Sequence, residues 1–336
     1  MKRPGLNQEV VHGNKGLEQF LNSSMQYSEN LSLANIPGDK WYVDATKSGD
    51  GTSWVDAFSD LDEAFLAVGH NDAILMAPGT YTGNYTAPDD TVAQNLSVIG
   101  VAPGKPGIRG GVNLVASDSA LPIITTKASG GRFSNLCFRP GATSSGIKLY
   151  ADISTADYIT GEDGGIAQGV TIDNCTFWGG GTGKYGIESQ GDEGVNSPHF
   201  VNVINNDFIY LNAVGAAGIY GADDSNSHIG WTVYGNTFES CRSCINCHAK
   251  DGWVGSRFER NSFAYQGVYA HATDGLVFVR ATATPDVTGG NTFVDNFFGC
   301  TLAAYAATDA LIRTNGYDNG MGNWCTDGIP TGAINH

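Results

Sequence analysis

The stretch that decides the fold is a motif repeated six times between Asn135 and Phe293, an asparagine followed two or three residues later by a phenylalanine. The copies are Asn135-Leu136-Cys137-Phe138, Asn174-Cys175-Thr176-Phe177, Asn205-Asn206-Asp207-Phe208, Asn236-Thr237-Phe238, Asn261-Ser262-Phe263 and Asn291-Thr292-Phe293. Their phenylalanines are 39, 31, 30, 25 and 30 residues apart, and self-similarity at such periods is typical of solenoid proteins. The sequence therefore predicts a stack of similar coils.

Most periods also contain a second short strand that begins at a glycine. Examples are Gly146-Ile147-Lys148-Leu149, Gly186-Ile187-Glu188, Gly218-Ile219-Tyr220 and Gly267-Val268-Tyr269. One coil of short strands cannot bury its inward side chains alone, so it gains a core only when coils stack in register. We predict an internal phenylalanine ladder and an asparagine ladder at one turn, because asparagine tolerates a left-handed backbone. The expected fold class is all-β, a right-handed parallel β-helix over residues 41–336.

Bulk composition excludes several classes of protein. Glycine accounts for 46 of 336 residues, about twice its usual share, which indicates many tight turns. The formal charge of −16 disfavours nucleic acid as a ligand, because phosphate backbones are bound by clustered Lys and Arg. The sequence has no apolar run that could span a membrane and no apolar segment of a signal peptide behind Lys2 and Arg3. We therefore expect a soluble protein made in a cytoplasm, with its seven cysteines reduced.

Residues 1–40 differ from the repeats in being polar, with one amphipathic helical stretch between Leu17 and Met25. Two roles fit this segment. It can be an arm that attaches the stack to another structure, or a cap that covers the strand edges of the first coil. We favour the arm.

A short amphipathic helix is predicted behind Ser59 as its N-cap, and it should close the N-terminal end of the stack. Its apolar positions are Phe58, Leu61, Phe65 and Val68. The helix lies between Trp41-Tyr42-Val43-Asp44 with Gly49-Asp50-Gly51-Thr52-Ser53-Trp54 on one side and Ile74-Leu75-Met76-Ala77-Pro78-Gly79-Thr80-Tyr81 on the other. This arrangement resembles the opening of pectin-lyase-like right-handed β-helix proteins, and the asparagine–phenylalanine coils extend the resemblance to about residue 300.

Within that superfamily, a chain with a distinct N-terminal arm and no signal peptide resembles a bacteriophage virion protein, a tailspike, fibre or decoration subunit. The resemblance implies a homotrimer in the virion. It also implies that residues 1–40 contact other virion proteins and that the stack presents a surface for host polysaccharide. We therefore expect a structural or receptor-binding protein. The alternatives are a polysaccharide-degrading glycoside hydrolase or lyase of the same fold, and a calcium-dependent adhesin.

The enzyme alternative depends on acidic, glycine-bearing loops that follow the second strand of each coil. Its candidate catalytic residues are Asp192, Glu193, Asp223 and Asp224. Stacked coils would bring such carboxylates to one edge, where they can act as acid and base, bind Ca²⁺, or be solvated turn residues. The basic residues Arg242, Lys250, Arg257 and Arg260 are scattered and match no lyase signature. We therefore predict no turnover of polysaccharide, but contact of these loops with it or with a partner subunit.

Aromatic residues near these loops can present flat faces to sugar rings, although each can equally fill the core or a subunit contact. The candidate glycan-binding residues are Trp178, Tyr185, Tyr220, Trp231 and Trp253.

Cys241, Cys244, Cys247 and His248 have the spacing of soft metal ligands. However, the chain has no second Cys-x-x-Cys pair, and Cys137 and Cys175 stand next to the repeated phenylalanines. We therefore interpret these cysteines as small core residues and expect no cofactor, with Ca²⁺ as the one possibility left open.

Overall fold

The computed structural model describes residues 36–101, 111–151, 165–191, 197–222, 228–247, 252–264, 277–279, 289–299, 312–314 and 317–325. The strands, numbered in chain order, form three long sheets of twelve, nine and eight strands. Each strand pairs in parallel with the equivalent strand of the neighbouring coil, as in β-helices. Most coils therefore contribute one strand to each sheet, where the sequence predicted at least two strands in all. Two coils contribute two short strands to the twelve-stranded sheet, His228–Ile229 with Thr232–Tyr234 and Trp253–Val254 with Arg257–Glu259.

The three sheets have the following members. Sheet one contains β1 (Lys40–Val43), β2 (Ala73–Met76), β5 (Ser97–Gly100), β8 (Arg132–Ser134), β11 (Thr171–Asp173), β14 (Asn202–Ile204), β17 (His228–Ile229), β18 (Thr232–Tyr234), β21 (Trp253–Val254), β22 (Arg257–Glu259), β25 (Gly289–Val294) and β28 (Tyr317–Met321). Sheet two contains β3 (Gly79–Thr82), β6 (Val112–Val115), β9 (Cys137–Arg139), β12 (Thr176–Trp178), β15 (Asp207–Ile209), β19 (Thr237–Glu239), β23 (Ser262–Ala264), β26 (Phe297–Phe298) and β29 (Trp324–Cys325). Sheet three contains β4 (Tyr85–Thr86), β7 (Ile124–Thr126), β10 (Ser145–Ala151), β13 (Tyr185–Gly191), β16 (Ala217–Gly221), β20 (Ser243–Cys247), β24 (Val277–Val279) and β27 (Ile312–Thr314).

The predicted phenylalanine ladder is confirmed on the inner face of sheet two. Adjacent rings are stacked with centroids 4.6 to 5.2 Å apart, and all of them are fully buried. Its members are Phe138, Phe177, Phe208, Phe238, Phe263 and Phe298. The phenylalanine ladder runs along the core and fixes the register of one coil on the next.

The glycines that begin the second strand of the sequence repeat face the phenylalanine ladder. A Cβ atom on Gly186 would lie 2.6 Å from Cδ1 of Phe208, and one on Gly218 would lie 2.7 Å from Cδ1 of Phe238. Sheet three can therefore approach the phenylalanine ladder only where these side chains are missing. In the next coil, Cys244 lies opposite Gly218. The small side chain of a cysteine therefore takes the position that a glycine has in the preceding coil.

The prediction that Phe293, in the sixth copy of the motif, belongs to the phenylalanine ladder is wrong. Phe293 lies in sheet one, stacked on Phe258 at 4.7 Å, and Phe298 takes the sixth place in the ladder. The amide of Asn291 satisfies backbone groups inside sheet one, where its Oδ1 accepts from Ser256 N at 2.9 Å. A bend within sheet one uses the same residue types as the bend between sheets, so the local motif does not distinguish the two.

The asparagine column is also split into two adjacent positions. Asn135, Asn174 and Asn205 have the predicted left-handed backbone, with φ of 59°, 52° and 53°. The amide ladder, however, begins one residue later in the coil. Its members are the buried Asn206, Asn236, Asn261, Asn296 and Asn323, each joined to the next by hydrogen bonds.

The N-terminal helix α1 (Leu61–Ala67) closes the first coil, as predicted, with Leu61, Ala64 and Phe65 buried. Its N-cap is Asp60 and not Ser59, because the Asp60 carboxylate accepts from Asp62 N. Ser59 instead donates to Glu63 through both its backbone N–H and its hydroxyl.

Residues 1–35 lie outside the described residues, so the choice between arm and cap stays a prediction. In the part of the chain that the structure describes, no helix is long and apolar enough to cross a bilayer.

Candidate functional site

Two of the predicted glycan-contacting residues, Tyr185 and Tyr220, meet on sheet three. Tyr185 begins β13, and Tyr220 lies near the end of β16 in the next coil. The strand register places Tyr185 opposite Ala217, three residues before Tyr220. The rings are nevertheless stacked, with centroids 4.1 Å apart and planes 3° from parallel. They form a partly exposed aromatic block that spans two coils.

A third tyrosine on the same sheet is flanked by lysines. The Nζ atoms of Lys127 and Lys148 each lie 5.1 Å from the ring centroid of Tyr150. Lys148 also forms an ion pair with Glu188, with 3.8 Å between Nζ and Oε1. An ammonium over an aromatic face is attracted to the ring, so this part of an acidic protein presents cations beside an aromatic surface.

Lys184 completes the arrangement beside the stacked pair. Its Nζ lies 5.3 Å from the ring centroid of Tyr185 and donates to the carbonyl oxygen of Val214 at 2.6 Å. We use the term sheet-three face for Lys127, Lys148, Tyr150, Lys184, Tyr185, Glu188 and Tyr220 together. Rigid rings and positioned ammonium groups that are spread over several coils of one sheet can contact an extended anionic polymer.

The candidate catalytic residues Asp192, Glu193, Asp223 and Asp224 lie outside the described residues. The strands that precede them are described: β13 ends at Gly191 and β16 ends at Gly221. These two strands are parallel neighbours, so both of them end at the same edge of sheet three. The role of the four carboxylates stays a prediction.

Trp178 lies on the outer face of sheet two and is partly exposed. The guanidinium of Arg139 in the preceding coil stacks on its ring, 4.8 Å from the centroid. Trp178 therefore keeps its status as a candidate aromatic contact, with a cation on the same outer surface.

Trp231 and Trp253, in contrast, are fully buried. Their rings contact each other edge to face at 4.6 Å inside sheet one, and Trp231 Nε1 donates to the carbonyl oxygen of Pro198 at 2.8 Å. These two tryptophans fill the core and cannot offer a face to a glycan, which corrects the prediction made for them.

The cysteine cluster is placed in the core, as the interpretation of these residues as small apolar side chains requires. Cys241, Cys244 and Cys247 are buried, and burial raises the pKa of Cys241 to about 12 and the pKa of Cys244 well above its ordinary value. A thiol must lose its proton to bind a metal, so this burial opposes metal binding. Among the described residues no group of three or more His, Cys, Asp and Glu could hold a metal ion; His248 lies outside them.

A polar cluster on sheet one was missed at the level of sequence. Arg257 Nη2 lies 2.6 Å from Glu259 Oε2, and Arg260 Nε lies 3.7 Å from the other carboxylate oxygen. Arg260 Nη1 also donates to the Tyr234 hydroxyl at 3.0 Å. Tyr234 belongs to the preceding coil and pairs with Glu259. Because only the stacking of the coils brings Tyr234 next to the two arginines, the cluster is not visible in the linear sequence.

A second ion pair on sheet one, between Arg132 and Asp173, has a structural role. Asp173 accepts from Arg132 through both carboxylate oxygens at 2.8 Å. It also accepts from the Ser134 hydroxyl at 3.0 Å and from Asn174 Nδ2 at 2.9 Å. With four hydrogen bonds on a nearly buried carboxylate, Asp173 fixes two coils to each other and is not positioned for proton transfer.

Comparisons with known proteins identify the fold. No protein-family model and no curated protein matches the chain. An alginate lyase from Paenibacillus sp. str. FPU-7 superposes with a TM-score of 0.54 at 15% identity, over 82% of this chain and 96% of that one. A rhamnogalacturonan lyase gives 0.43 at 14% identity over 78% and 68% of the two chains, and ORF18 of Geobacillus virus E2 gives 0.41 at 11% over 81% and 54%. The chain has the right-handed parallel β-helix fold of pectin-lyase-like proteins.

Proposed function

We propose that this chain is a structural, receptor-binding protein of a bacteriophage particle and that its sheet-three face binds an anionic polysaccharide of the host surface. The observation that carries the proposal is the stacked pair of Tyr185 and Tyr220 with Lys184 beside it. The protein as a whole has a net charge of −16. The local group of lysines can nevertheless attract an acidic polymer to this face, and the rings exclude water from the contact.

Replacing Tyr220 by alanine is expected to weaken binding to a polyuronate such as alginate about fivefold, because loss of a ring contact of this kind costs about 1 kcal/mol. Isothermal titration calorimetry with the full-length protein measures the affinity, and dextran serves as the neutral polymer. Binding should weaken further as salt is added, since the lysines are partly exposed.

The matched control is Tyr42→Ala, which removes a partly exposed tyrosine from β1 in the first coil of the stack. It should bind the polyuronate like the unmodified protein. Equal affinities of the Tyr220→Ala and unmodified proteins, or no binding of the polyuronate by either, would remove the glycan-binding role from the sheet-three face.

A polysaccharide-degrading enzyme is the second candidate, and the cluster of Tyr234, Glu259 and Arg260 favours it. A lyase needs a group that removes a proton from the sugar and cations that stabilise the uronate, and a tyrosine beside arginines supplies both types. We expect no products. Unsaturated sugars detected by ultraviolet absorbance in the same incubations, and absent with Tyr234→Phe, would establish the lyase in place of the structural role.

Residues 1–40 as a particle-binding arm and the homotrimer complete the proposal. Exposed apolar side chains in the last described coils, Phe297, Met321 and Trp324, give the stack a surface that a second copy can cover. The full chain, of 35.3 kDa per subunit, should have a trimeric mass by light scattering, and a variant that begins at Gly38 should keep that mass but fail to enter particles. A monomer at micromolar concentration would exclude the trimer, and an insoluble variant would identify residues 1–40 as a cap.

A further inference from the structure

Apolar side chains are exposed on helix α1 and beside it, at the N-terminal end of the stack. The helix contacts β1 and β4 and buries Leu61, Ala64 and Phe65. Leu66, in contrast, is 90% exposed, more than any other large apolar side chain among the described residues. Val55, in the loop that pairs with the outer edge of β1, is 76% exposed at the same end. The outer face of α1 therefore presents an apolar position to solvent.

The chain enters the stack beside the end of this helix. Residues 1–35 precede the described part of the chain. Gly38 N donates to Asn71 O at 3.2 Å, and Asp39 N donates to the Asp72 carboxylate at 2.7 Å. Helix α1 ends only four residues before Asn71. The N-terminal segment is therefore tethered at the same end of the stack as the outer face of α1.

The tethered segment contains one apolar stripe, in which Leu17, Phe20, Leu21 and Met25 recur at helical spacing. Residues 26–35 join this stripe to the stack, and a linker of ten residues has a root-mean-square length of roughly 16–19 Å. Helix α1 is about 10 Å long, so the linker matches the distance that the stripe has to span. A matched linker gives a tethered segment an effective concentration in the millimolar range.

We propose that residues 17–25 form an amphipathic helix that packs its apolar stripe on the outer face of α1, over Leu66. A short amphipathic helix is stable in water only when its apolar face is packed, and the tether favours this contact over any partner below millimolar concentration. The N-terminal end of the stack is then closed by two helices, and residues 1–16 remain for the particle contact proposed above. The packing of residues 17–25 does not depend on that contact.

Hydrogen exchange of the full-length protein, followed by mass spectrometry, tests this packing. The backbone amides of residues 17–25 should exchange at least about tenfold more slowly than in a synthetic peptide of residues 1–35, because burial of a large apolar side chain stabilises the packed helix by that factor or more. Leu66→Asp should abolish the protection, since it places a carboxylate in the apolar contact. The strands should keep their own protection in this variant, because Leu66 contributes little buried surface to the described fold.

Val214→Asp is the matched control, because Val214 is 79% exposed and lies in a later coil, between β15 and β16. It should leave the exchange of residues 17–25 unchanged. The proposal is overturned if these residues exchange in the unmodified protein as fast as in the peptide, or if their protection survives Leu66→Asp. A smaller mass of Leu66→Asp in light scattering would overturn it as well, by assigning the contact to a second copy. Because particles are absent from these measurements, their outcome is separate from that of the particle-binding arm.

Discussion

Replacing Asn206 by alanine is expected to lower the free energy of unfolding by about 3 kcal/mol, because several buried polar groups lose their partners together. Asn206 is fully buried. Its Oδ1 accepts from Cys175 N at 2.8 Å, and its Nδ2 donates to Ile172 O at 2.8 Å and to Asn236 Oδ1 at 3.1 Å. Alanine leaves the Cys175 N–H and the Ile172 carbonyl group unpaired in the core.

The neighbouring Asn205 provides the control, since the two residues are chemically identical and adjacent. Asn205 is exposed and has φ of 53°, a conformation that glycine adopts at least as well. Asn205→Gly should therefore change the free energy of unfolding by less than about 1 kcal/mol. Urea unfolding followed by circular dichroism measures both variants. A larger loss at Asn205 than at Asn206 would show that the turn, and not the amide ladder, stabilises the stack.

The same pair of asparagines shows how far the sequence could predict the fold. The period of the phenylalanines was sufficient to predict stacked coils, because a core ladder forces a regular repeat. The two roles of asparagine were merged, although the spacing to phenylalanine distinguishes them. Asn205 lies three residues before Phe208 and turns the chain, whereas Asn206 lies two residues before it and joins the ladder.

The candidate site was only partly predictable. Tyr185 and Tyr220 were both named from the sequence, but their stacking depends on an offset of three residues across β13 and β16 that no periodicity encodes. Trp231 and Trp253 were misjudged because an aromatic residue near a loop has the same sequence signature whether it points inward or outward.

The second large effect is expected in acid, where His228 should destabilise the protein. His228 is fully buried between Trp231 and Trp253, with ring centroids at 5.6 and 5.0 Å, and neither of its ring nitrogens has a hydrogen-bond partner among the described residues. Burial lowers the pKa of His228 from its ordinary 6.5 to about 3. In this range the unfolded chain binds a proton that the folded chain does not, so folding stability falls as the pH falls.

The expected variant is His228→Leu, which replaces the imidazole with an apolar side chain of similar size. Above pH 6.5 it should be more stable than the unmodified protein by about 1 kcal/mol, because the unpaired polar atoms are gone. Below that pH the advantage should grow by about 1.4 kcal/mol per pH unit and reach about 4 kcal/mol near pH 4. Urea unfolding at a series of pH values measures the difference between the two proteins, in which the titration of all other groups cancels.

Val233→Ala serves as the control, since it removes buried methyl groups from β18 in the same coil and adds no titrating group. Its curve of stability against pH should run parallel to that of the unmodified protein, displaced downward by about 2 kcal/mol. Only His228→Leu should change the slope. If the curve for His228→Leu also runs parallel to that of the unmodified protein, the imidazole of His228 is protonated in the folded state without a cost in free energy. The site would then have to supply an acceptor for the His228 proton, and the buried position of the ring between two tryptophans would not explain the acid sensitivity of the fold.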